Sequence, residues 1–180
     1  MRARRWSALL VLVAAAAALG VGTAAPPAGP QTDAKVRLGQ WLFEDVNLSD
    51  PPGQACATCH AMGAGLADPD RRAPTSKGVR PGLFGDRNTP SAGYMAFSPP
   101  FHFDKAEQHY VGGQFWDGRA DTLEEQATQP FLNPVEMANR NAAHVLANVQ
   151  AASNDPQYQQ VYGSEAFDDP HSPFQHIAQA

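Results

Sequence analysis

A chain of 180 residues with a net charge of −5 is sized for one domain and lacks the basic surface that nucleic-acid binding needs. It holds sixteen prolines and fifteen glycines but only two cysteines, so a loop-rich body is expected.

Arg2, Arg4 and Arg5 precede an apolar run from Ala8 to about Val21, with small residues following through Ala25. This pattern reads as a secretory signal peptide over 1–25. The run is short and alanine-rich for a membrane span, and an uncleaved anchor is the alternative. Removing a leader that carries three arginines takes the net charge from −5 to −8. Such a charge suits docking to a basic partner, although it also serves plain solubility. A proline-rich linker is expected over 26–32 and a mainly α domain with long loops over 33–170. Asp33 can cap its first helix, whose apolar face would be Ala34, Leu38, Trp41 and Leu42.

Next comes Cys56-Ala57-Thr58-Cys59-His60, a C-x-x-C-H run that reads as a c-type haem attachment site. Two thiols three positions apart can form thioethers to the two vinyl groups of one porphyrin. The adjacent histidine is then held beneath the iron as its proximal ligand. The competing readings are a C-x-x-C redox disulfide and half of a zinc site without its other pair. Covalent haem attachment together with export points to a bacterial periplasmic protein. No cysteine is then left for a disulfide.

From Pro51 to about Arg119 the chain reads as loop, with no convincing alternating strand. Thr122-Leu123-Glu124-Glu125 is a capping box opening a short helix that Pro130 is expected to end. Asn133-Pro134-Val135-Glu136 is a further start signal. Ala142, Val145, Leu146 and Val149 mark one face of a longer helix, stopped by Asn154-Asp155-Pro156. Residues 171–180 read as the truncated start of another segment. There Ser172-Pro173 opens a helix with Phe174, Ile177 and Ala178 on one side, a frayed terminal turn being the alternative.

Several short blocks occur in a telling order: Leu38-Gly39, Leu42-Phe43 and Leu48-Ser49, then the haem motif, then Arg87-Asn88-Thr89-Pro90-Ser91. Phe115-Trp116-Asp117-Gly118-Arg119-Ala120, Leu123-Glu124-Glu125-Gln126-Ala127 and Asn133-Pro134-Val135-Glu136-Met137 follow. From Lys35 to the C-terminus this resembles the bacterial dihaem cytochrome c peroxidases and the methylamine-utilisation dihaem enzymes. Members have two cytochrome c-like domains, each with its own C-x-x-C-H, and the first carries the peroxide-reacting haem. The chain matches that first domain, and a second C-x-x-C-H is absent from it.

The resemblance implies roles residue by residue. Cys56, Cys59 and His60 would hold one covalent haem c. Glu136 would move a proton between the two oxygens of H2O2, with Gln126 hydrogen-bonding in the same pocket. Trp116 matches a tryptophan that helps electrons pass between the haems. Asn88 matches one ligand of an interdomain calcium. From the residues alone, Glu136 could instead cap the backbone behind Asn133, Gln126 could be a surface amide, Trp116 a core aromatic and Asn88 a turn residue.

One departure from the family pattern stands out. Many of these peroxidases have Pro-Thr-Ser-x-Gly-His after the haem motif, and its histidine caps the iron until the other haem is reduced. Here the segment is Pro74-Thr75-Ser76-Lys77-Gly78-Val79. Valine cannot ligate iron, so an open site without the reductive switch is expected. His102 and His109 are the nearest substitutes downstream and read as solvated loop residues. The expected activity is peroxide reduction with electrons from a small c-type cytochrome or cupredoxin, in partnership with a second haem domain. The alternatives are a haem enzyme oxidising a partner protein and a monohaem electron carrier.

Overall fold

The computed structural model describes residues 30–152, 155–167 and 173–180. The signal peptide expected over 1–25 lies outside the described residues. The first helix, α1 (Pro30–Glu44), begins inside the expected linker and three residues before the expected cap. Proline suits the first helical position because its fixed φ is already helical. Asp33 therefore falls in the first turn, where its carboxylate complements the helix dipole. Ala34, Leu38 and Leu42 are buried as expected, but Trp41 is 41% exposed and lies at the edge of that face.

The one-turn helix α2 (Cys56–Cys59) carries the cysteine motif. The long loop beyond it contains an antiparallel hairpin that periodicity did not reveal, β1 (His102–Asp104) and β2 (His109–Val111). Three-residue strands are too short to show an alternation. Gln108 closes their turn in a left-handed conformation (φ 58°). Phe101 stacks on Tyr110 and Phe103 meets it edge-on, each with ring centroids 5.2 Å apart.

Helix α3 (Leu123–Leu132) starts where the capping box put it. Thr122 Oγ1 accepts from Glu125 N at 3.1 Å, and the Glu125 carboxylate accepts from Asp121 N at 2.8 Å. It does not stop at Pro130. The carbonyls of Pro130 and Phe131 accept from Met137 N and Asn139 N (3.2 and 2.9 Å), and buried Phe131 anchors the last turn. The Asn133 signal opens no helix; residues 134–137 form a single turn. Helix α4 (Ala142–Ala151) starts later, capped by Asn141, whose side chain accepts from His144 N at 2.9 Å. Asp155-Pro156, expected as a stop, begins a further helix, α5 (Asp155–Tyr162). Here proline again occupies an early helical position.

The last helix, α6 (Pro173–Gln179), was set apart from the domain on sequence grounds, yet it packs against α3, α4 and α1. Its Ile177 joins Leu38, Leu42, Leu48, Phe131, Met137, Val145, Val149 and Tyr158 in one apolar core. That core belongs entirely to the helical half. Between 51 and 121 the buried apolar side chains are Ala55 and Ala120 alone among the described residues.

Asn139 ties the two stretches of the helical half together. Buried at 4% exposure, its side-chain N–H donates to the carbonyls of Leu48 (2.7 Å) and Phe131 (3.0 Å). Asn139→Ala takes its donor from the buried Leu48 carbonyl, while Phe131 keeps the backbone N–H of residue 139, and is expected to lower stability by about 1–3 kcal/mol, read as a lower urea midpoint of the haem-loaded protein.

Candidate haem site

The α2 turn is closed by its own residues. Ala55 N donates to Thr58 Oγ1 at 3.0 Å, and Thr58 N donates to the Ala55 carbonyl at 3.1 Å. His60 N then donates to the Cys56 carbonyl at 2.9 Å. A spacing of three on one helical turn puts both thiols on one side. The imidazole of His60 is held by its Nδ1, which lies 3.0 Å from the Leu66 carbonyl. A carbonyl only accepts, so Nδ1 carries the proton and the Nε2 lone pair is left for a metal. Leu66 presents that carbonyl from a left-handed conformation (φ 59°). Ala92 N donates to the same oxygen at 2.9 Å.

Neither cysteine is paired with the other. Burial pushes the Cys56 thiol up to about 11. Burial also raises Cys59, against the lowering effect of hydrogen bonds from Ser76 and Gln54. Gln54 is buried; its Nε2 reaches Cys59 Sγ at 3.4 Å and the Lys77 carbonyl at 2.7 Å. Ser76 Oγ bonds the Asp68 carboxylate and lies 2.5 Å from Thr89 Oγ1.

The 76–79 segment is pinned to the turn that carries Glu136. Val79 N donates to the Glu136 carbonyl at 2.9 Å. Gly78 passes so close that a Cβ there would stand 2.4 Å from the Val135 carbonyl oxygen. The Glu136 carboxylate is half-buried, and burial raises its pKa. A hydrogen bond from Asn133 and the charge of Arg119 work against that rise, whereas Asp86 adds to it. The charge of Glu136 also adds slightly to the rise at Cys59. Gln126 is half-buried in the first turn of α3 and makes no side-chain hydrogen bond to Glu136 among the described residues.

Trp116 and Asn88 are brought together, because the indole N–H donates to the Asn88 carbonyl at 2.6 Å. Trp116 is 62% exposed and so is not the core aromatic that its type alone suggests. Asn88 Nδ2 donates to the Pro74 carbonyl at 3.3 Å, which leaves its amide oxygen toward other partners. His102 and His109 lie on the exposed hairpin, their Nδ1 atoms 2.8 and 2.9 Å from the carbonyls of Pro100 and Glu107.

The family described as di-haem cytochrome c peroxidase matches residues 33–180. The chain belongs to that family. It is 44% identical to the methylamine utilization protein MauG of Paracoccus denitrificans over 180 residues, covering 96% of this chain and 44% of that protein. Cytochrome c peroxidase Ccp of Escherichia coli is 40% identical over 127 residues, covering 70% of this chain and 23% of its own length. Among solved structures, the diheme peroxidase BthA of Burkholderia thailandensis superposes with a TM-score of 0.70 at 34% identity. That likeness covers 81% of this chain and 38% of BthA. The chain thus spans less than half the length of these relatives.

Haem c comes with membership of the di-haem cytochrome c peroxidase family, and the residues fit it. Two unpaired thiols lie on one turn, His60 presents Nε2, and the loop half has almost no apolar core of its own. A planar apolar macrocycle tethered there would supply one. Sequence reasoning missed Gln54, the Leu66 carbonyl, the Ser76 cluster and Arg119. Ser76 and Arg119 lie in segments that match the family pattern, whereas Gln54 and Leu66 carry no sequence signal, because their roles depend on contacts across the fold.

Gly78 gives a direct test of the pinned segment. Gly78→Ala must push the Val135 carbonyl aside and is expected to cost about 1–3 kcal/mol in urea unfolding. Gly63→Ala, whose Cβ would meet nothing within 4 Å, should change stability by less than about 0.5 kcal/mol.

Proposed function

We propose that this chain is the peroxide-reacting haem domain of a periplasmic peroxidase. It would reduce H2O2 with two electrons and two protons to two molecules of water. The observation that carries the reading is the half-buried Glu136, whose backbone carbonyl accepts from Val79 N in the segment that Gln54 ties to Cys59. Haem c, when bound at Cys56, Cys59 and His60, supplies the redox chemistry.

The protein's own part is proton handling and placement. Glu136 takes a proton from one peroxide oxygen and gives a proton to the departing one. Its raised pKa keeps the two protonation states closer in energy than on an exposed glutamate. Gln126 hydrogen-bonds the substrate, and His60 keeps its ring orientation through Leu66. Trp116 lies on the path for electrons arriving from a second haem domain, which takes them from a small c-type cytochrome or cupredoxin. The single cysteine motif ties one haem to this chain. The Asn88 amide oxygen supplies one ligand of a calcium completed by that second domain, since calcium takes six to eight oxygens. A second reading, oxidation of a partner protein at the same site, is favoured by the exposed Trp116 indole and by Val79. Each leaves the site accessible without a prior switch.

Glu136→Gln is expected to slow the reaction of the ferric protein with H2O2 by about a hundredfold or more, measured by stopped flow. The base form is the active one, so the wild-type rate should rise with pH through a midpoint above the ordinary glutamate value. That midpoint should vanish in the variant. Steady-state turnover with a c-type donor should stay weak until a second haem domain is added in trans. An undiminished peroxide rate in Glu136→Gln would falsify the assignment.

Val79 predicts the coordination state. The ferric protein should be largely high-spin without prior reduction and should bind cyanide quickly. A low-spin spectrum reverting in His102→Ala or His109→Ala would show that the hairpin supplies a ligand.

A further inference from the structure

Three segments meet at the site, and each is bonded to the other two. Residues 48–54 hold the 133–139 turn through Asp50 N, which donates to the Met137 carbonyl at 2.8 Å, and through Asn139 Nδ2, which donates to that of Leu48 at 2.7 Å. The 133–139 turn holds residues 77–79 through Val79 N, which donates to the Glu136 carbonyl at 2.9 Å. The third side, between 77–79 and 48–54, is closed by a side chain. Gln54 Nε2 donates to the Lys77 carbonyl at 2.7 Å. The same nitrogen lies 3.4 Å from Cys59 Sγ in the attachment motif. Arg80 and Asp50 add a half-exposed ion pair at 4.0 Å, which contributes little in water.

Gln54 is itself firmly placed. Its backbone N–H donates to Ser49 Oγ at 2.9 Å, and both residues are buried. A Cβ on the preceding Gly53 would stand 4.0 Å from Val79 Cγ2, so the Val79 side chain lies close to this stretch. Gln54 Oε1 is buried with no hydrogen-bond partner among the described residues. Reversing the amide would set that oxygen against the Lys77 carbonyl, which has no proton to give. An unpaired buried acceptor is destabilising, and a methionine would fill the space without one. What the amide adds is its donor. A thioether sulfur still accepts weakly, so the contact at position 59 survives haem attachment.

We propose that Gln54 is a positioning residue: its carboxamide registers the 77–79 segment, and through Val79 the Glu136 turn, on the haem-attachment turn at Cys59. This role rests on the acid–base function proposed for Glu136, which needs its carboxylate held at a fixed place relative to the haem.

The experiment uses the haem-loaded protein and two readouts, amide hydrogen exchange over the 76–85 peptide and the stopped-flow rate with H2O2. Gln54→Met keeps the length of the side chain and removes the donor. It should speed exchange over 76–85 by roughly tenfold, with the α4 peptide unchanged, and slow the peroxide reaction by about tenfold or more. Because Gln54 acts through Glu136, Gln54→Met added to Glu136→Gln should slow the reaction by less than about twofold beyond Glu136→Gln alone. Lys105→Gln, on the hairpin, should change neither readout. The proposal is overturned if Gln54→Met, with an unchanged haem spectrum, keeps either readout within about twofold of wild type. It is equally overturned if the effects of Gln54→Met and Glu136→Gln on the rate multiply. Should Gln54→Met fail to take up haem, Gln54→Glu, which also lacks the N–H, is judged by the same limits. Loss of haem from both variants would make Gln54 a residue of haem attachment and overturn the positioning role. A peroxide rate indifferent to Glu136→Gln sinks the acid–base reading, and exchange over 76–85 then decides by itself whether Gln54 holds the segment.

Discussion

From Pro51 to Asp121 the chain folds without an apolar core, and most of its architecture follows from that constraint. Burial of apolar surface is the main force that offsets chain entropy. In this stretch it is represented by Ala55 and Ala120. What holds the loops is polar and local. Isolated bridges pair Ala61 with Ala67, Lys77 with Phe84 and Gln114 with Ala120. Buried side chains such as Gln54, Ser76 and Gln114 sit among them. Hydrogen bonds of this kind contribute only about 1 kcal/mol each after the competition with water. A covalently tethered macrocycle changes the balance twice over, by supplying apolar surface and by crosslinking the chain at Cys56 and Cys59.

The helical half solves a different problem. Its core is complete within 30–48 and 131–180, and its contribution to the site is one seam, residues 133–139. From that seam Asn139 reaches Leu48, Met137 accepts from Asp50 N at 2.8 Å, and Glu136 accepts from Val79 N. The proposed proton-handling residue therefore sits where a self-sufficient core meets loops that lack one. The conformation of its neighbours fits that position. Leu66, Phe115 and Ala138 all hold left-handed backbone, each at a cost of about 1 kcal/mol or more. They lie next to the His60 anchor, Trp116 and Glu136 respectively.

The sequence made the attachment motif legible because its chemistry is local: five consecutive residues and one helical turn. The start of α3 was legible for the same reason, since Thr122 and Glu125 satisfy donors within a few residues of themselves. Pro130 misled because the carbonyls of the turn that contains it are satisfied by Met137 and Asn139, partners beyond the helix. Asp155-Pro156 does follow the end of α4, but the pair reads equally as a beginning, and it opens α5. The hairpin at His102–Val111 was invisible because three-residue strands show no period. Trp41, placed on the buried face by helical spacing, is exposed, and so is Trp116, for which a core aromatic is only the alternative reading. Glu136 could be named only through its block, since local reasoning gives it a capping role. In the structure, Asn133 does turn inward at that point, its Oδ1 accepting from Val135 N at 3.1 Å.

The valine at position 79 gains its meaning from how firmly the segment is held. Ser76 is fixed by Asp68 and Thr89, the Lys77 carbonyl by Gln54, Gly78 by its closeness to Val135, and Val79 N by the Glu136 carbonyl. Each anchor except the last belongs to a residue before position 79, and the last uses its backbone alone. The backbone at 79 is therefore held in place whatever its side chain. A histidine on such a mount could reach a metal only if the whole segment were kept in register, which is what the anchors achieve. Valine leaves them intact while removing the ligand. The exchange therefore costs the fold little, and the open site proposed above would need no other change in the segment.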